Sequence, residues 1–396
     1  MILYVLAVII LFIICFFCYI RLKYKFWALQ PVFHFYDLYY WFVNVGIIRH
    51  ELPEKNRYVN LTNIKTLSFE NINENIFKQL VVLIQLNYLQ NKENTFTPKK
   101  DNIVPYFIGH NTSTFWSYYL EPEVIIDNKT NKTLTENKII GVISCRPLHV
   151  YIYNKAHFDV YYIDYLCVHK SFRKKNIAPQ LIQTHEYNQS HNNRKIAVSL
   201  FKREEELTGI IPLTVYHTYC FNMRNWNSPP EELHPSIVLL TGDKQNMYYL
   251  YNFINELTKE GKWDITVYPE ISNLMELVST KNLFVKMLVI DGNIEAVYIF
   301  RKTCTYIEKD KEILSCIASI NGKALTKKEF IHGFKVALWS VISDFKYLTL
   351  EAISDNNCII DNLSIRTHPF IIIPMAYFFY NFAYSPFKPE KCLIIN

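Results

Sequence analysis

Residues Tyr161–Gln183 read YYIDYLCVHKSFRKKNIAPQLIQ. An apolar, aromatic run ends at Val168, a short loop carries Lys170, Arg173, Lys174 and Lys175, and a helical pattern begins near Ala178-Pro179. Proline is favoured in a first helical turn because its missing N–H would be unpaired there anyway. A basic loop feeding a helix N-terminus can hold an anion. The free N–H groups, the positive end of the helix dipole and the Lys/Arg charges converge on one point. A pyrophosphate could be gripped this way without a Walker glycine pattern. A solvated basic turn fits the same residues, and the stretch alone leaves both readings open.

Working outward, strand-like and helix-like segments alternate without a Pro/Ser/Gly linker. The patterns predict a helix near Ile76–Leu89, strands at Lys138–Cys145, Val150–Tyr153 and Val160–Val168, then the helix from about Pro179. The second half repeats the order loosely. It has a helix at Met247–Leu257, strands at Phe284–Ile290, Ile294–Phe300 and Ile313–Ile320, a helix at Lys328–Ile342 and a strand at Tyr347–Ala352. Asp291-Gly292 between two apolar runs is a hairpin signal. The sequence therefore predicts an α+β fold built from two copies of a helix-plus-antiparallel-strand unit.

The 396 residues, half of them apolar, are enough for a large core and too many for one small domain. Lys and Arg total 42 against 36 Asp and Glu, a net charge of +6, too mild for a polybasic nucleic-acid binder. No nucleic-acid partner is expected. The nine cysteines are scattered through apolar runs without framework spacing, which predicts buried reduced thiols. No metal site is expected: His185-Glu186 with His191 lacks zincin spacing and reads as a solvated helix face. His169 reads as a structural hydrogen-bonding residue. The six N-x-S/T sequons are uninformative in so Asn-rich a chain.

Ile2–Ile20 contains no charged residue, and Arg21, Lys23 and Lys25 follow at once. About 19 residues of helix span roughly 28 Å, close to the hydrocarbon thickness of a bilayer. The basic residues on the C-terminal side place the N-terminus outside the cytosol and the body within it, as a single-pass membrane protein. A cleaved signal peptide would have a basic start and small residues at a cleavage site, and neither is present.

Two blocks resemble the N-myristoyltransferase family, within the GCN5-related acyltransferase (GNAT) superfamily. Tyr165-Leu166-Cys167-Val168-His169-Lys170, then Arg173, Lys175, Ala178-Pro179 and Leu181-Ile182, is similar to the family text N-F-L-C-V-H-K-x-L-R-S-K-R-[LV]-A-P-x-L-I. Tyr24–Val32 (YKFWALQPV) resembles Y-x-F-W-x-T-Q-P-V. Weaker similarity links Gly141–Cys145 with Val150–Tyr153 to G-F-I-S…I-H-I-Y, and Tyr377–Phe382 to Y-Y-L-Y-N-W.

The resemblance implies two tandem GNAT-like units with pseudo-twofold symmetry: an anchor over 1–22, an acyl-CoA-binding half over 23–235 and a peptide-groove half over 236–396. It implies transfer of a myristoyl group from myristoyl-CoA, a co-substrate, to proteins or peptides with an N-terminal glycine. Lys25, Phe26 and Trp27 would contact the acyl-CoA, backbone groups at Tyr165 and Leu166 would form an oxyanion hole, and Cys167 and Val168 would line the cofactor. Arg173, Lys174, Lys175, Asn176, Ile177 and Ala178 would form the phosphate loop. The base would be the chain's own terminal carboxylate, on Asn396. Cys167 would be no nucleophile, because acyl transfer in the family is direct.

Departures from the family text fall on the peptide side. Its acidic loop is replaced by Asn87–Asn94 (NYLQNKEN), its P-V-G-T-C-R-Y-W-H-R by Pro212–Phe221 (PLTVYHTYCF), and its glycine-aspartate segment by Arg366–Phe370 (RTHPF). These losses leave room for a second reading, a catalytically degenerate acyltransferase fold serving as a membrane-bound acyl-CoA-binding or scaffold protein.

Overall fold

The structure, a computed structural model, describes residues 1–89, 94–127, 132–204, 209–224, 226–307 and 311–396. After the N-terminal helix α1 (Ile2–Tyr24), the first unit runs β1 (Ile64–Ser68), α2 (Glu74–Asn87), a helical turn at Lys100–Ile103, β2 (Phe115–Asp127), β3 (Lys132–Ile152), β4 (Ala156–Val168), α3 (Ile177–Asn192) and β5 (Val198–Glu204). Strand β6 (Thr214–Asn222) leads to the second unit: β7 (Ile237–Thr241), α4 (Met247–Lys259), β8 (Ile265–Tyr268), α5 (Ile271–Ser279), β9 (Leu283–Ile290), β10 (Asn293–Ile307), β11 (Lys311–Asn321), α6 (Lys327–Trp339) and β12 (Tyr347–Glu351). The chain closes with α7 (Asn356–Ser364), β13 (Ile371–Tyr380) and β14 (Cys392–Ile394). Two copies of strand, helix, helix, three antiparallel strands, helix and strand follow one another.

The duplication is written into the pairing of the single large sheet. Its strands lie in the order β1-β2-β3-β4-β5-β13-β6-β12-β11-β10-β9-β7. That order is a palindrome: β1 answers to β7, β3 to β10, β5 to β12 and β13 to β6. The parallel pairs β4–β5 and β11–β12 stand at equivalent places. Between the units the strands are exchanged, because β6 from before the second unit pairs with β12, while β13 from after it pairs with β5. The pseudo-twofold axis passes between β6 and β13, which pair with each other. Two side branches complete the match: β8 on the far end of β3, and the short strand Asn94–Phe96 on the far end of β10. The fold is thus α+β with two tandem units, as the sequence implied.

Local chemistry explains the elements. Asn73 caps α2 by accepting from Asn75 N at 2.8 Å, and Thr326 with Glu329 forms a capping box on α6. At the hairpin after β9, Asp291 and Gly292 have φ of 49° and 81°, the two left-handed residues that a tight right-twisted turn needs. The aromatic and aliphatic side chains of the sheet and its helices form the core, with Trp116, Trp263, Tyr161, Tyr298, Phe300 and Phe334 fully buried. At Gly141 a Cβ would stand 2.8 Å from Leu181 Cδ1, so this glycine is what lets α3 lie close on β3.

Helix α1 is the one helix among the described residues long and apolar enough to cross a membrane. The nine cysteines are all unpaired, and six of them are buried. Only α3 departs from its sequence reading in character. His185 and Glu186 are not on a solvated face but buried, 1% and 8% exposed. Helix α3 is covered on its polar side by other parts of the chain, and most of its buried polar groups are paired, His185 Nε2 and Gln189 Oε1 excepted. His185 Nδ1 lies 2.8 Å from Ser117 Oγ, Glu186 accepts from Arg49 at 2.7 Å, and Asn60 N donates to Thr184.

Candidate active site

Strands β4 and β5 pair in parallel only from Val160 to Tyr162 and then splay apart, β5 turning to β13. At the point of separation Ile143 of β3 faces two residues of β4, Tyr165 and Leu166, between the Val142–Cys167 and Ser144–Asp164 pairs. This is a β-bulge, with Tyr165 at φ 47°. The bulge takes Tyr165 and Leu166 out of the ladder, and both line the opening. Tyr165 is fixed there by its ring, stacked 5.8 Å from Trp116 and edge-on to Tyr88 at 5.8 Å.

Two cavities meet at this bulge, and a third adjoins the first of them. An apolar cleft of about 500 Å³ fills the splay, lined by Phe26, Trp27, Tyr165, Leu166, Ala178 and Phe201 among others. Trp27 stacks on Phe201 at 5.7 Å to form one wall. A basic cavity of about 670 Å³ shares Phe26 and Pro179 with it and is otherwise lined by Arg21, Lys25, Arg57 and Asn176 at the N-terminus of α3. Asn176 sits in the left-handed region at φ 58° with no side-chain cap on the helix. The first N–H groups of α3 therefore keep their capacity for an external acceptor.

On the other side of the bulge a polar groove of about 490 Å³ shares Tyr88, Asp164, Tyr165 and Lys202 with the cleft. Both units build it: Arg146 from β3, Thr218 from β6, Arg301 from β10 and Glu351 from β12. Its floor is a buried charge network. Lys202 donates to Glu351 at 2.9 Å, the Tyr216 hydroxyl donates to the same carboxylate at 2.7 Å, and Arg301 stands 3.8 Å from it. Burial alone would raise the Glu351 carboxyl, but Lys202 and Arg301 beside it hold it below the usual carboxylate range. Arg146, 1% exposed, pairs with Asp164 at 2.9 Å under the bulge.

Strand β14 runs parallel to β8 and brings the C-terminus against Arg301, a residue that lines this groove. Asn396 is 4% exposed, and Arg301 Nη1 donates to its terminal oxygen at 3.1 Å. A chain end is ordinarily frayed and solvated. Here it is buried against a groove-lining guanidinium.

Of the residues the sequence singled out, Lys25, Phe26, Trp27, Tyr165, Leu166, Asn176 and Ala178 line the cleft or the basic cavity. The side chains of Cys167, Val168 and Ile177 point instead into the hydrophobic core. Burial pushes the Cys167 thiol up to about 12, so it is protonated at neutral pH. Arg173 is turned onto the protein: Nη2 donates to Asn87 O at 2.7 Å and Nε to Val168 O at 3.2 Å. Asn87 Oδ1 also accepts from Lys170 N, so the end of α2 pins the loop. Lys174 and Lys175 are exposed on it. His169 Nδ1 accepts from Ser171 N at 3.3 Å, a structural bond. Of the substituted peptide-side segments, residues 90–93 lie outside the described residues, and Thr218 lines the groove from β6. Arg301, Lys202, Glu351 and Arg146 were not singled out in advance. Their one sequence signal is a charge placed within or directly after an apolar strand run, as in VYIFRK and YLTLE.

The family description "Myristoyl-CoA:protein N-myristoyltransferase, N-terminal domain" matches residues 51–212. Residues 51–212 thus match the N-terminal domain of the N-myristoyltransferase family. Glycylpeptide N-tetradecanoyltransferase of Plasmodium falciparum is 28% identical over 169 residues, 41% of this chain and 38% of that protein. The match thus spans well under half the length of the curated relative. Over the whole chain the likeness is one of fold. Saccharomyces cerevisiae N-myristoyltransferase with bound myristoyl-CoA superposes with TM-score 0.69 at 16% identity, over 92% of this chain and 94% of that one. A second structure of the yeast enzyme with bound myristoyl-CoA gives TM-score 0.71 at 15% identity, over 93% and 91%. The N-myristoyltransferase fold therefore extends through both units, beyond the matched N-terminal domain.

Proposed function

We propose that the chain is an acyltransferase that moves a myristoyl group from myristoyl-CoA to the N-terminal glycine of protein substrates. The observation that carries this reading is the apolar cleft at the Tyr165–Leu166 bulge, which adjoins a basic cavity through Phe26 and Pro179 and a polar groove through Tyr165 and Lys202. The CoA phosphates lie in the basic cavity at the N-terminus of α3, with Lys25, Lys174 and Lys175 supplying charge. The acyl chain lies in the apolar cleft, and the peptide amine approaches through the polar groove.

The chemistry follows from these places. An α-amino group has a pKa near 8 and an α-carboxylate is ionised at neutral pH. The Asn396 carboxylate takes a proton from the glycine ammonium, and the free amine attacks the thioester carbonyl. The developing oxyanion is met by backbone N–H groups at the Tyr165–Leu166 bulge. The attack forms the C–N bond, collapse breaks the C–S bond, and the amine's remaining surplus proton leaves with the CoA thiol. Helix α1 spans a membrane with its N-terminus away from the cytosol, and Arg21, Lys23 and Lys25 hold the body on the cytosolic side.

The full chain in detergent, given myristoyl-CoA and a broad panel of glycine-initiated peptides, should yield peptides heavier by one myristoyl group with stoichiometric release of CoA thiol. N-acetylated versions of the same peptides should give none. Tight myristoyl-CoA binding without product across the panel would assign the chain to the acyl-CoA-binding scaffold reading instead.

A further inference from the structure

Residues 31–48 read PVFHFYDLYYWFVNVGII, and Asp37 is the single formally charged residue among them. The segment's short helix, Leu38–Phe42, faces outward. Leu38 is 65% exposed, Phe42 83% and Val43 72%, with Tyr39 and Trp41 also exposed. Apolar side chains exposed together in this way mark a contact surface. Two polar groups of the patch are bonded within the segment. Asp37 accepts from His34 N at 3.0 Å, and Trp41 Nε1 donates to Phe35 O at 3.2 Å. Nothing polar in these bonds asks for water.

The place of the patch says what covers it. Phe35 packs edge-on to Phe16 at 6.5 Å and Tyr36 edge-on to Phe17 at 6.4 Å, so the segment lies against the flank of α1. Phe17 and Phe16 precede Arg21 by four and five residues, about 6–7.5 Å along a helix axis. With Arg21 and Lys23 at the headgroups, Phe35 and Tyr36 stand that far on the hydrocarbon side of them. Interfacial segments bury their apolar faces to about 5–10 Å, and Trp and Tyr concentrate at that level.

We propose that residues 35–45 are a second membrane contact, an interfacial insert lying in the leaflet beside α1. The inference rests on the reading of α1 as a membrane span. It fixes more than attachment. A single helix leaves the body free to swing, whereas two contacts hold it flat. Because Arg21 and Lys25 also line the basic cavity, that cavity then opens at headgroup level.

Brominated lipid tests this, because α1 contains no tryptophan and cannot itself give a signal. The full chain is placed, one copy per disc, in nanodiscs of phosphatidylcholine and phosphatidylserine with or without bromine on the phosphatidylcholine chains. Wild-type fluorescence should be quenched by bromine, and Trp41→Phe, which keeps an apolar ring, should lose most of that quench. Equal quenching of the two proteins, or none, in a chain that resists carbonate extraction would overturn the proposal while leaving the span intact. A Trp41 shielded from both brominated lipid and aqueous acrylamide, in discs that carry two copies, would assign the patch to a second copy and overturn it as well. A chain that carbonate extracts would remove the span and this inference with it.

Discussion

Arg301 donates to the terminal oxygen of Asn396 at 3.1 Å while standing 3.8 Å from Glu351, so one partly buried guanidinium joins the end of the chain to the floor of the groove. If the terminal carboxylate is the base, its position matters and its side chain does not. Adding one glycine after Asn396 converts that carboxylate into a neutral amide and moves the charge a residue further on. Single-turnover transfer should fall about 10²–10⁴-fold, the usual worth of a positioned general base. Asn396→Ala keeps the carboxylate and should retain transfer. Myristoyl-CoA affinity, measured by calorimetry, should be unchanged in both.

The basic loop should divide into two functions. Arg173 holds the carbonyls of Asn87 and Val168, so Arg173→Ala should lower stability by about 1–2 kcal/mol, at the low end because the guanidinium is partly solvated. Lys174 and Lys175 make no such bonds. Replacing both by Ala should leave the urea midpoint in place and weaken myristoyl-CoA binding about tenfold, an effect that shrinks in high salt. A loss of affinity in Arg173→Ala alone would reverse this division.

What could be read from the sequence was local. The Asp291-Gly292 hairpin, the helix after the basic loop and the alternation of both halves depend on neighbours within a few residues, and the structure has them close to the expected limits. The palindromic sheet could not be read, because its decisive pairs, β5 with β13 and β6 with β12, join strands far apart in the chain. The same holds at the site. Tyr165, Leu166 and Trp27 lie in blocks with a recognisable text. Lys202 meets Glu351 across 149 residues and Arg301 meets Asn396 across 95, and no local pattern records either pair. His185 and Glu186 were misread for the same reason: their partners Ser117 and Arg49 come from β2 and from the segment before β1.

Stability should fall in mild acid through His185. Burial pushes its pKa down to about 3, against about 6.5 in an unfolded chain. Above 6.5 both states are neutral and the residue costs nothing. As pH drops from there towards 3 the unfolded state takes up a proton the folded state refuses, at up to about 1.4 kcal/mol per pH unit. His110, held down to about 4 by burial, adds to the slope over a shorter range. Urea unfolding of the full chain between pH 7 and 5 should show this loss, and His185→Gln should flatten it. An unchanged slope in His185→Gln would mean that the imidazole protonates without unfolding.

Glu351 offers the sharper test of the groove. Its carboxylate answers Lys202 and Arg301 and accepts from the Tyr216 hydroxyl, all in the buried floor. Glu351→Gln keeps the shape but leaves Lys202 without its anion and Arg301 with the Asn396 carboxylate alone, a change towards the low end of the about 3–5 kcal/mol that breaking a buried pair from one side costs. Restoring neutrality should recover part of it: Glu351→Gln with Lys202→Met should be more stable than Glu351→Gln alone. The folded-state pKa of Glu351 is depressed, so its contribution is present above the unfolded carboxylate value and is lost as pH falls through the lower one. The double variant should therefore lack the part of the acid loss below about pH 4.5 that the wild type shows. Denaturant curves at pH 7 and pH 4 for the three proteins measure both effects, and a double variant no better than the single would mean that Arg301, not Lys202, is the charge Glu351 chiefly balances.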